Sequence, residues 1–562
     1  MRASVVAIST LASILHTNFA LNDFQALIQP KIIASECALA MEANRDPEAQ
    51  FKKGTLVVDL NVTAGRFESA YISFNTRTYN GQIPGKTIKV CEGDTLVVNL
   101  WNHLGEGSSN LTNLHVHGME VSSMGQSDNV FVAVEPRQFR RYEYAIEQSI
   151  TDHIYYHPHV HLLVSSQISG LMGGNIFIVE NKYHPSYPRQ LREMEEVVLL
   201  LQGVCYQNCT NNRDNIFNAI ISRYGVSEQS LLPNELNPNI KIRPENSMIQ
   251  DTKQVHIFVN GQYGPELHMS TNKCKRLRWT NALANNVVEL VMPGCMMYAM
   301  GVDGIYRKGS PVQKAVNIIS PGGRSDIALC CEKAGTYWMS SDSSSSRLGQ
   351  LGFVNDHRAA TQKVMKIIVS ENATQEVNLI ADFTWKLPYD TQHLVDLRTI
   401  PASSIPPANM YSYELSMDIK NMFVDAKGVK FAFGVNQKTY DDNYINHTMV
   451  VGQVQQWQIS TKTVSDACDA NPPSTTRCRE MVHPFHLHGF PFQIVSKSEN
   501  FDPDDLLHEI GEYRDTVLLR SGLKILIRFI PPAYAVGEIL THCHIASHSD
   551  NGMAQKVRVI RA

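Results

Sequence analysis

The stretch YNGQIPGKTIKVCEGDTLVV, which runs from Tyr79 to Val98, decides the fold because a related sequence returns twice further along the chain. VNGQYGPELHMSTNKCKRLRW begins at Val259, and GVNQKTYD begins at Gly434. Each copy carries an asparagine, and the intervals are 180 and 176 residues between Asn80, Asn260 and Asn436. A repeat of this period predicts three successive copies of one β-sandwich.

Short runs of alternating apolar and polar residues support an all-β fold. Examples are TLVVNLW from Thr95, VQQWQI from Val454 and KILIRFI from Lys524. Alternation with a period of two is typical of strands that are half buried in a sheet. We therefore expect three consecutive domains in the 562-residue chain, at about 51–182, 193–375 and 395–562, with the Pro- and Ser-containing stretch PASSIPPANM near the last boundary.

The charge balance excludes one class of partner. Lys plus Arg number 50 and Asp plus Glu number 54, which gives a formal charge of −4. The chain has no basic excess with which to cover a phosphate backbone or an anionic membrane surface. We therefore expect no nucleic-acid partner.

The N-terminus predicts export. Met1 and Arg2 precede the apolar stretch VVAISTLASIL, which is too short to span a bilayer and ends near Ala20, so residues 1–20 are interpreted as a signal peptide. No later apolar run has the roughly 18 to 20 residues that a transmembrane helix needs. A secreted protein without a transmembrane segment is expected, and five glycosylation sequons agree with that route, at Asn61, Asn110, Asn208, Asn372 and Asn446.

The chain has 11 cysteines, an odd number. In an oxidising compartment ten of them could pair while one is reserved, and Cys468 with Cys478 is the first pair we would expect. Cys205 and Cys209 resemble one half of a zinc site. Because no nearby pair completes such a site, a disulfide or two unrelated cysteines is the favoured interpretation.

Histidines cluster in four segments. These are LHVHGM from Leu114, YYHPHVH from Tyr155, HPFHLHGF from His483 and HCHIASHSDNGM from His542. With 21 His in the chain, chance predicts about one His-x-His pair, whereas five occur. Residues two apart on a strand face the same way, so each segment can direct two imidazoles at one centre, and the segments together indicate a site for several metal ions.

Cys543 lies between His542 and His544 and must point the opposite way along the same strand. A thiolate there, with His483 and His548, forms a trigonal His₂Cys set to which Met553 adds a weak axial thioether. Blue-copper sites have these ligands. The pattern therefore selects copper.

These four segments resemble the signature blocks of the multicopper oxidases, the family of laccases, ascorbate oxidase, bilirubin oxidases and ferroxidases. The sequences of the first two segments are most similar to those of a bacterial-type, laccase-like branch of this family. The resemblance covers most of the chain beyond the leader, and it implies three cupredoxin-like Greek-key β-sandwich domains and four copper ions. It also implies a small-molecule reducing substrate and dioxygen as the electron acceptor. We expect a monomer.

The resemblance assigns each ligand by motif position. It implies that His115 and His486 bind a type 2 copper, and that a type 3 pair is bound by His117, His157, His159, His488, His542 and His544. It places the type 1 copper on His483, Cys543, His548 and Met553. Electrons from the substrate would then pass from Cys543 to His542 and His544, which makes these three residues catalytic. A Met at 553 suggests a lower type 1 potential than in laccases without an axial ligand.

The acidic residues and several neighbours are assigned less directly. Asp128, eleven residues after His117, stands where the family keeps an acid beside the cluster, so we expect it to relay protons, the alternative being a loop Asp in a turn. The family's second carboxylate is missing from the HCHIxxH block, and either Asp550 or a chain of water molecules would replace it. Two other departures, Val116 where Trp is frequent and Phe490 where His is frequent, lie outside the ligand positions.

Three features are interpreted as structural rather than as metal ligands. His161 is in register with His157 and His159, yet the family uses two histidines there, so a supporting or surface role is favoured over a ligand. The group Met292, Met296, Met297 and Met300 could bind a soft metal but is favoured as core packing. The middle domain carries no ligand constellation, so we expect it to space the other two domains and to shape the substrate pocket.

Three functions compete. The first is a secreted laccase-like oxidase of phenols or aromatic amines. The second is an oxidase of Cu(I), Fe(II) or Mn(II), which would need clustered acidic residues or Met near the type 1 site. The third is a copper-free cupredoxin-like binding protein, which is disfavoured because such a protein would be expected to have lost ligands such as Cys543 or His483.

Overall fold

The structure is a computed structural model, and most of the chain between residue 25 and the C-terminus is described. The described residues are 25–43, 51–69, 73–147, 149–205, 255–271, 273–342, 358–371, 385–390, 392–418, 423–424, 428, 430–431, 433–464, 482–498, 508–520 and 523–562. The predicted signal peptide at 1–20 lies outside them. No helix among these residues has the length and apolarity needed to cross a membrane.

The first β-sandwich consists of a four-stranded sheet, in the order β3-β2-β5-β7, and a five-stranded sheet, in the order β1-β4-β9-β8-β6. Its strands are β1 Ile32–Ala34, β2 Thr55–Glu68, β3 Ser73–Tyr79, β4 Thr87–Val90, β5 Thr95–Asn102, β6 His115–His117, β7 Phe139–Ala145, β8 His153–His157 and β9 Gly174–Ile178. Three helices accompany them: α1 Glu36–Ala43, α2 Val164–Ser169 and α3 Arg189–Glu193. Leu60, Leu96 and Leu100 are fully buried between the sheets.

The middle β-sandwich consists of two sheets. One has the strand order β11-β10-β13-β19-β15-β16, with β17 paired to β15, and the other has the order β12-β21-β20-β14-β18. Its strands are β10 Glu195–Cys205, β11 Val255–Val259, β12 Glu266–Ser270, β13 Cys274–Asn281, β14 Val288–Val291, β15 Met296–Val302, β16 Ile305–Tyr306, β17 Val312–Lys314, β18 Val316–Ile319, β19 Arg324–Cys330, β20 Gly335–Ser341 and β21 Gln362–Ser370. Trp279 is fully buried in its core.

The third β-sandwich consists of a sheet with the strand order β25-β22-β27-β32-β29-β30 and a sheet with the order β26-β34-β33-β28-β31. Strands β23 and β24 form a separate two-stranded sheet. Its strands are β22 Met410–Asp418, β23 Phe423–Val424, β24 Lys430–Phe431, β25 Phe433–Val435, β26 His447–Val450, β27 Gln455–Val464, β28 Val482–Leu487, β29 Phe492–Lys497, β30 Tyr513–Arg514, β31 Thr516–Arg520, β32 Lys524–Phe529, β33 Gly537–Cys543 and β34 Ala554–Ile560. Helix α4, Ala546–Asp550, follows β33. Trp457 is fully buried in the core.

The three asparagines of the sequence repeat occupy equivalent turns. Each adopts a left-handed backbone conformation, with φ of 55° at Asn80 and 51° at both Asn260 and Asn436. Asparagine tolerates this region better than most residues. Each side-chain oxygen also accepts a backbone N–H at 2.7 to 2.8 Å, from Asn61, Leu200 and Glu414 respectively. The repeat therefore marks the same structural turn in all three sandwiches, and the predicted all-β fold of three β-sandwiches is confirmed.

Candidate metal centre

The histidine pairs lie on strands whose register brings them together. In the first sandwich β6 pairs antiparallel with β8, so that His115 lies opposite His157. In the third sandwich β28 pairs antiparallel with β33, so that His486 lies opposite His542. Residues two apart on a strand share a face, and His159, His488 and His544 lie just beyond the ends of β8, β28 and β33. Each strand pair with these flanking residues therefore brings four imidazoles to the junction of the two sandwiches.

Eight buried histidines converge at that junction: His115, His117, His157, His159, His486, His488, His542 and His544. The Nε2 atom of His542 lies 3.2 Å from Nε2 of His159 and 3.1 Å from Nε2 of His488. The Nδ1 atom of His117 lies 3.1 Å from Nε2 of His544. The histidines form three groups, and within each group one ring nitrogen of every residue lies within 4.8 Å of the others. The groups are His115, His117, His486; His117, His157, His544; and His159, His488, His542.

The far ring nitrogens of several of these histidines are held by hydrogen bonds, which fixes their orientation. His157 Nδ1 donates to the Pro158 carbonyl at 3.0 Å, and His542 Nδ1 donates to the Cys543 carbonyl at 2.9 Å. The inward Nε2 atoms of His115, His157 and His486 are buried and have no hydrogen-bond partner among the described residues. Buried polar atoms are normally paired, so these nitrogens fit a metal ion as their partner.

Burial sets the protonation state of the cluster. It lowers the pKa of His157 to about 3 and that of His542 to about 4. Burial also lowers the pKa of the other six rings well below the ordinary histidine value. At neutral pH all eight rings are uncharged, and a neutral imidazole has the lone pair that binds a metal.

A second group of ligands lies in the core of the third sandwich. The Sγ atom of Cys543 lies 3.7 Å from Nδ1 of His483 and 3.6 Å from Nδ1 of His548, and the two nitrogens are 3.1 Å apart. All three side chains are buried. One soft atom and two nitrogens at the corners of such a triangle suit a single copper ion.

The chain folds back on itself to close this second group. The Cys543 N–H donates to the Met553 carbonyl at 3.0 Å, and the Met553 N–H donates to the His548 carbonyl at 3.0 Å. Met553 is fully buried in the same hydrophobic core as Cys543. The Phe433 ring stacks on His548 with 4.2 Å between ring centroids.

Comparison with known proteins decides the family. Two family models, both described as multicopper oxidase, match residues 64–183 and 412–562, which are the parts of the chain that carry the two groups of ligands. The chain belongs to the multicopper oxidase family. It is therefore an oxidoreductase that uses dioxygen, and copper is its cofactor.

Relatives of this multicopper oxidase include enzymes of several kinds. The multicopper oxidase mco of Staphylococcus aureus is 21% identical over 488 residues, which cover 87% of this chain and 84% of the relative. Laccase-3 of Oryza sativa is 23% identical over 541 residues, with coverage of 85% and 88%. The solved multicopper oxidase of Campylobacter jejuni, described as a metallo-oxidase, is 20% identical with a TM-score of 0.64 over 98% of this chain and 99% of that one.

Asp128 of the oxidase lies beside the cluster, where the resemblance put it. Its carboxylate accepts a hydrogen bond from Nδ1 of His115 at 2.8 Å and one from the Val116 N–H at 3.0 Å. Burial raises the pKa of Asp128 well above its usual range. The carboxylate therefore orients one ring of the cluster, and its role in proton transfer stays a prediction.

Asp550 is used elsewhere in the oxidase. Its carboxylate accepts the Val164 N–H at 3.3 Å and the Ser165 N–H at 2.8 Å, at the first turn of helix α2. Burial raises the pKa of Asp550 to about 7. This carboxylate ties α2 of the first sandwich to α4 of the third, which makes it a poor substitute for the missing proton-relay acid.

The acid that sequence reasoning missed is Asp515. Its Oδ1 accepts a hydrogen bond from Nε2 of His117 at 3.0 Å, and its backbone carbonyl accepts one from Nδ1 of His486 at 2.9 Å. The segment YRDTV gives no signal that separates Asp515 from a surface acid. Its proximity to the cluster follows from the pairing of β31 with β28, in which Thr516 lies opposite His486.

The middle sandwich has a larger part in the oxidase than the expected spacer. Arg324 at the start of β19 donates to both carboxylate oxygens of Asp515, at 2.9 and 2.5 Å. Gly322, nearby in the same sandwich, lies so close to the His544 ring that an added Cβ would be 2.5 Å from it. Side chains and backbone of the middle sandwich therefore contact the eight-histidine cluster or the residues that hold it.

Two other sequence features have structural explanations. The His161 ring packs against Tyr440, with 4.9 Å between ring centroids. Met292, Met297 and Met300 are buried in hydrophobic clusters of the middle sandwich. The ring contact of His161 agrees with a supporting role rather than a ligand, and the buried methionines agree with core packing, although Met296 is half buried.

The described residues hold three disulfides and one free cysteine. The structure has disulfides Cys37–Cys91, Cys274–Cys330 and Cys295–Cys331, and Cys543 is the free cysteine among the described residues. The expected pair Cys468 and Cys478 lies outside the described residues, as does Cys209 of the half zinc site.

The predicted glycosylation sites do not all suit a glycan. Asn110 is only 1% exposed, and its side chain donates to the Gly105 carbonyl at 3.0 Å, so a glycan does not fit there in the folded chain. Asn61 and Asn446 are half buried, whereas Asn208 and Asn372 lie outside the described residues.

Proposed function

We propose that this multicopper oxidase is a secreted, laccase-like enzyme that oxidises phenols or aromatic amines one electron at a time and reduces dioxygen to two waters. We also propose that it holds four coppers. His483, Cys543, His548 and Met553 would bind the type 1 ion, and His115 with His486 the type 2 ion. The type 3 pair would be bound by His117, His157, His159, His488, His542 and His544. One observation carries the proposal: the two ligand groups meet at the end of strand β33. Cys543 belongs to one group, and its neighbour His542 belongs to the other.

The chain supplies positioning and a dry environment for this reaction. Copper, when bound, supplies one-electron redox chemistry and a binding site for dioxygen. Cys543 and His542 are adjacent residues of β33 whose side chains point to opposite faces, so a covalent path of one peptide unit joins the two ligand groups. Asp128 and Asp515 hold the rings of His115 and His117 in place.

The environment of the His483 and His548 pair favours an aromatic substrate. The contacts of His548 include the stacked Phe433 ring, and Phe433 belongs to the same hydrophobic core as Met553. Phe433 is only 4% exposed, so it shields the ligand group with apolar surface and gives no ligand oxygen to a metal ion, which favours an organic electron donor such as a phenol.

One observation favours a metal-ion substrate as the second candidate. Asp441 and Asp442 are adjacent acids on the loop whose Tyr440 N–H donates to the Gly552 carbonyl at 3.1 Å, next to Met553. Oxidation of Fe(II) or Mn(II) would use such carboxylates as the docking site, whereas Cu(I) would use a softer ligand such as Met.

Oxygen uptake separates the two candidates. We expect turnover with a set of phenols and aromatic amines that exceeds turnover with Fe(II), Cu(I) and Mn(II), and that is unchanged in an Asp441→Asn, Asp442→Asn double variant. Turnover restricted to metal ions, and lost in the double variant while any phenol activity persists, would establish the metal oxidase instead.

Export and oligomeric state are tested separately. The three disulfides are typical of an oxidising compartment, which supports secretion. We expect N-terminal sequencing of protein from the culture medium to begin near residue 21, and light scattering to give the mass of one chain. Protein retained in the cell with residues 1–20 intact would contradict secretion.

A further inference from the structure

A buried arginine joins the three sandwiches beside the eight-histidine cluster. Arg324 is 1% exposed. Its Nε donates to the His153 carbonyl of the first sandwich at 3.0 Å, and its Nη2 donates to the Asp303 carbonyl of the middle sandwich at 2.9 Å. The same guanidinium donates to both carboxylate oxygens of Asp515 in the third sandwich, at 2.9 and 2.5 Å. A two-point contact of this kind fixes the plane of a carboxylate as well as its position.

The carboxylate that Arg324 fixes is in direct contact with a ring of the cluster. Asp515 Oδ1 accepts from His117 Nε2 at 3.0 Å, and it also accepts from the Thr516 hydroxyl at 2.8 Å. His117 therefore has Nε2 held by the carboxylate, while its Nδ1 faces His544 at 3.1 Å. Any rotation of Asp515 would turn the His117 ring and move Nδ1.

Asp303 holds the other side of the arrangement. Its Oδ1 accepts the Arg324 N–H at 3.1 Å, and its Oδ2 accepts the Thr516 N–H at 3.1 Å. One carboxylate of the middle sandwich therefore ties the backbone of the arginine to the backbone that follows Asp515. We call Arg324, Asp303 and Asp515 the inter-sandwich clamp.

Glycine at 118 allows the clamp to approach the ligand strand. Gly118 follows His117 and has φ of 89°, in the left-handed region that favours glycine. A Cβ there would lie 2.1 Å from Nη2 of Arg324 and 2.8 Å from Oδ2 of Asp515. The clamp therefore packs directly against the backbone that carries His117.

We infer that Arg324 is a positioning residue for the copper cluster, through which the middle sandwich controls copper binding by His117 and its neighbours without supplying a ligand. The inference rests on the proposed assignment of the eight histidines to copper. Partners that orient metal ligands typically change metal affinity by about 10- to 100-fold when they are removed. The type 1 group, His483, Cys543 and His548, has no part in the clamp.

Copper binding by Arg324→Lys tests the inference. Lysine keeps the charge but loses the planar two-point contact. We expect copper at the histidine cluster to be bound about 10- to 100-fold more weakly, measured by competition with a chelator and by the copper content of each chain after that competition. The blue type 1 absorption should stay at the wild-type level in the same sample and serves as the internal reference.

Arg278→Lys is the matched control. Arg278 is also a buried arginine of the middle sandwich, and it donates to Asp152 of the first sandwich at 2.6 Å. Both variants lose a buried ion-pair geometry between sandwiches, so both should unfold at a lower temperature without copper. If Arg324→Lys and Arg278→Lys bind cluster copper equally well, Arg324 is an interface residue only and the inference is wrong.

Asp303→Asn is a second test of the inference, to be used if Arg324→Lys does not fold. Asparagine keeps one acceptor, so it should loosen the clamp while preserving the fold, and cluster copper should again be lost selectively. Wild-type protein that binds no copper at the histidine cluster would instead overturn the proposed function, which keeps the two failures distinct. Wild-type cluster affinity in a folded Asp303→Asn protein would contradict the role given to the clamp.

Discussion

The ring of His542 donates a hydrogen bond from Nδ1 to the backbone carbonyl of Cys543, over 2.9 Å. The two residues belong to different ligand groups, because the Cys543 thiol faces His483 and His548 while the Nε2 atom of His542 faces His159 and His488. The hydrogen bond therefore closes a second connection, beside the covalent one, between the two groups. It also directs Nε2 of His542 toward the cluster.

Metal content is the first prediction. One His₂Cys group and one eight-imidazole cluster predict about four coppers in each fully loaded chain and an intense blue colour. Metal analysis and a visible spectrum of the purified protein measure both. Zinc alone, or a full complement of copper without the thiolate-to-copper band, would contradict the ligand assignment.

Replacing the free cysteine separates the two ligand groups. Cys543→Ser should abolish the blue colour and oxidase turnover, because a hydroxyl is a poor replacement for a thiolate ligand. Copper at the histidine cluster should remain, since none of its eight rings is changed. Turnover near the wild-type rate in a variant verified by mass spectrometry would show that electrons do not enter through Cys543.

Asp128→Asn tests the proton route. An amide oxygen in the position of Oδ1 can still accept from the Val116 N–H at 3.0 Å and from His115 Nδ1 at 3.1 Å, so the ring keeps one of its two acceptor oxygens, but the proton-exchanging carboxylate is lost. We expect reoxidation of the reduced enzyme by dioxygen to slow about 10- to 100-fold, while reduction by substrate is unchanged. Stopped-flow absorption measures the two half-reactions separately.

Asp550→Asn is the control for that measurement, because its carboxylate is also buried but contacts the N-terminal turn of helix α2. It should leave reoxidation at the wild-type rate. If Asp128→Asn also reoxidises normally across the pH range, Asp128 has a structural role only.

Glu120 predicts a pH dependence of stability. It is half buried, and its Oε1 accepts the Ile150 N–H at 2.8 Å and the Thr151 hydroxyl at 3.5 Å. Burial raises the pKa of Glu120 from 4.5 to about 7. A group with a raised pKa in the folded state contributes full stability below pH 4.5, and that contribution is lost as the pH rises through 7.

Glu120→Gln removes the ionisable group and with it the pH-dependent part of the free energy of unfolding. The variant should therefore unfold at the same temperature as wild type at pH 4 and at a higher temperature at pH 8. The expected gain at pH 8 is about 1 to 3 kcal/mol. Thermal unfolding of the copper-free protein across this pH range measures it. Glu106→Gln, at a side chain that is 73% exposed, is the control and should show no such trend. An equal shift at both pH values would contradict the prediction.

The local chemistry of both ligand groups could be predicted from sequence alone. The His-x-His spacing fixes which side chains share a face of a strand, because successive residues on a strand point to opposite sides. The same rule sends Cys543 away from His542 and His544. The repeat of Asn80, Asn260 and Asn436 likewise predicted three similar sandwiches, since each copy forms its own turn from local residues.

The surroundings of the cluster depended on tertiary structure. Arg324 and Asp515 are 191 positions apart, and the segments that carry them have no periodicity or motif that indicates contact. Asp550 lies nearer in sequence to the ligands than Asp515 does, yet it contacts helix α2, whereas Asp515 contacts His117. Which acid reaches the cluster is decided by how the three sandwiches pack, because burial leaves each carboxylate only the partners that packing brings to it.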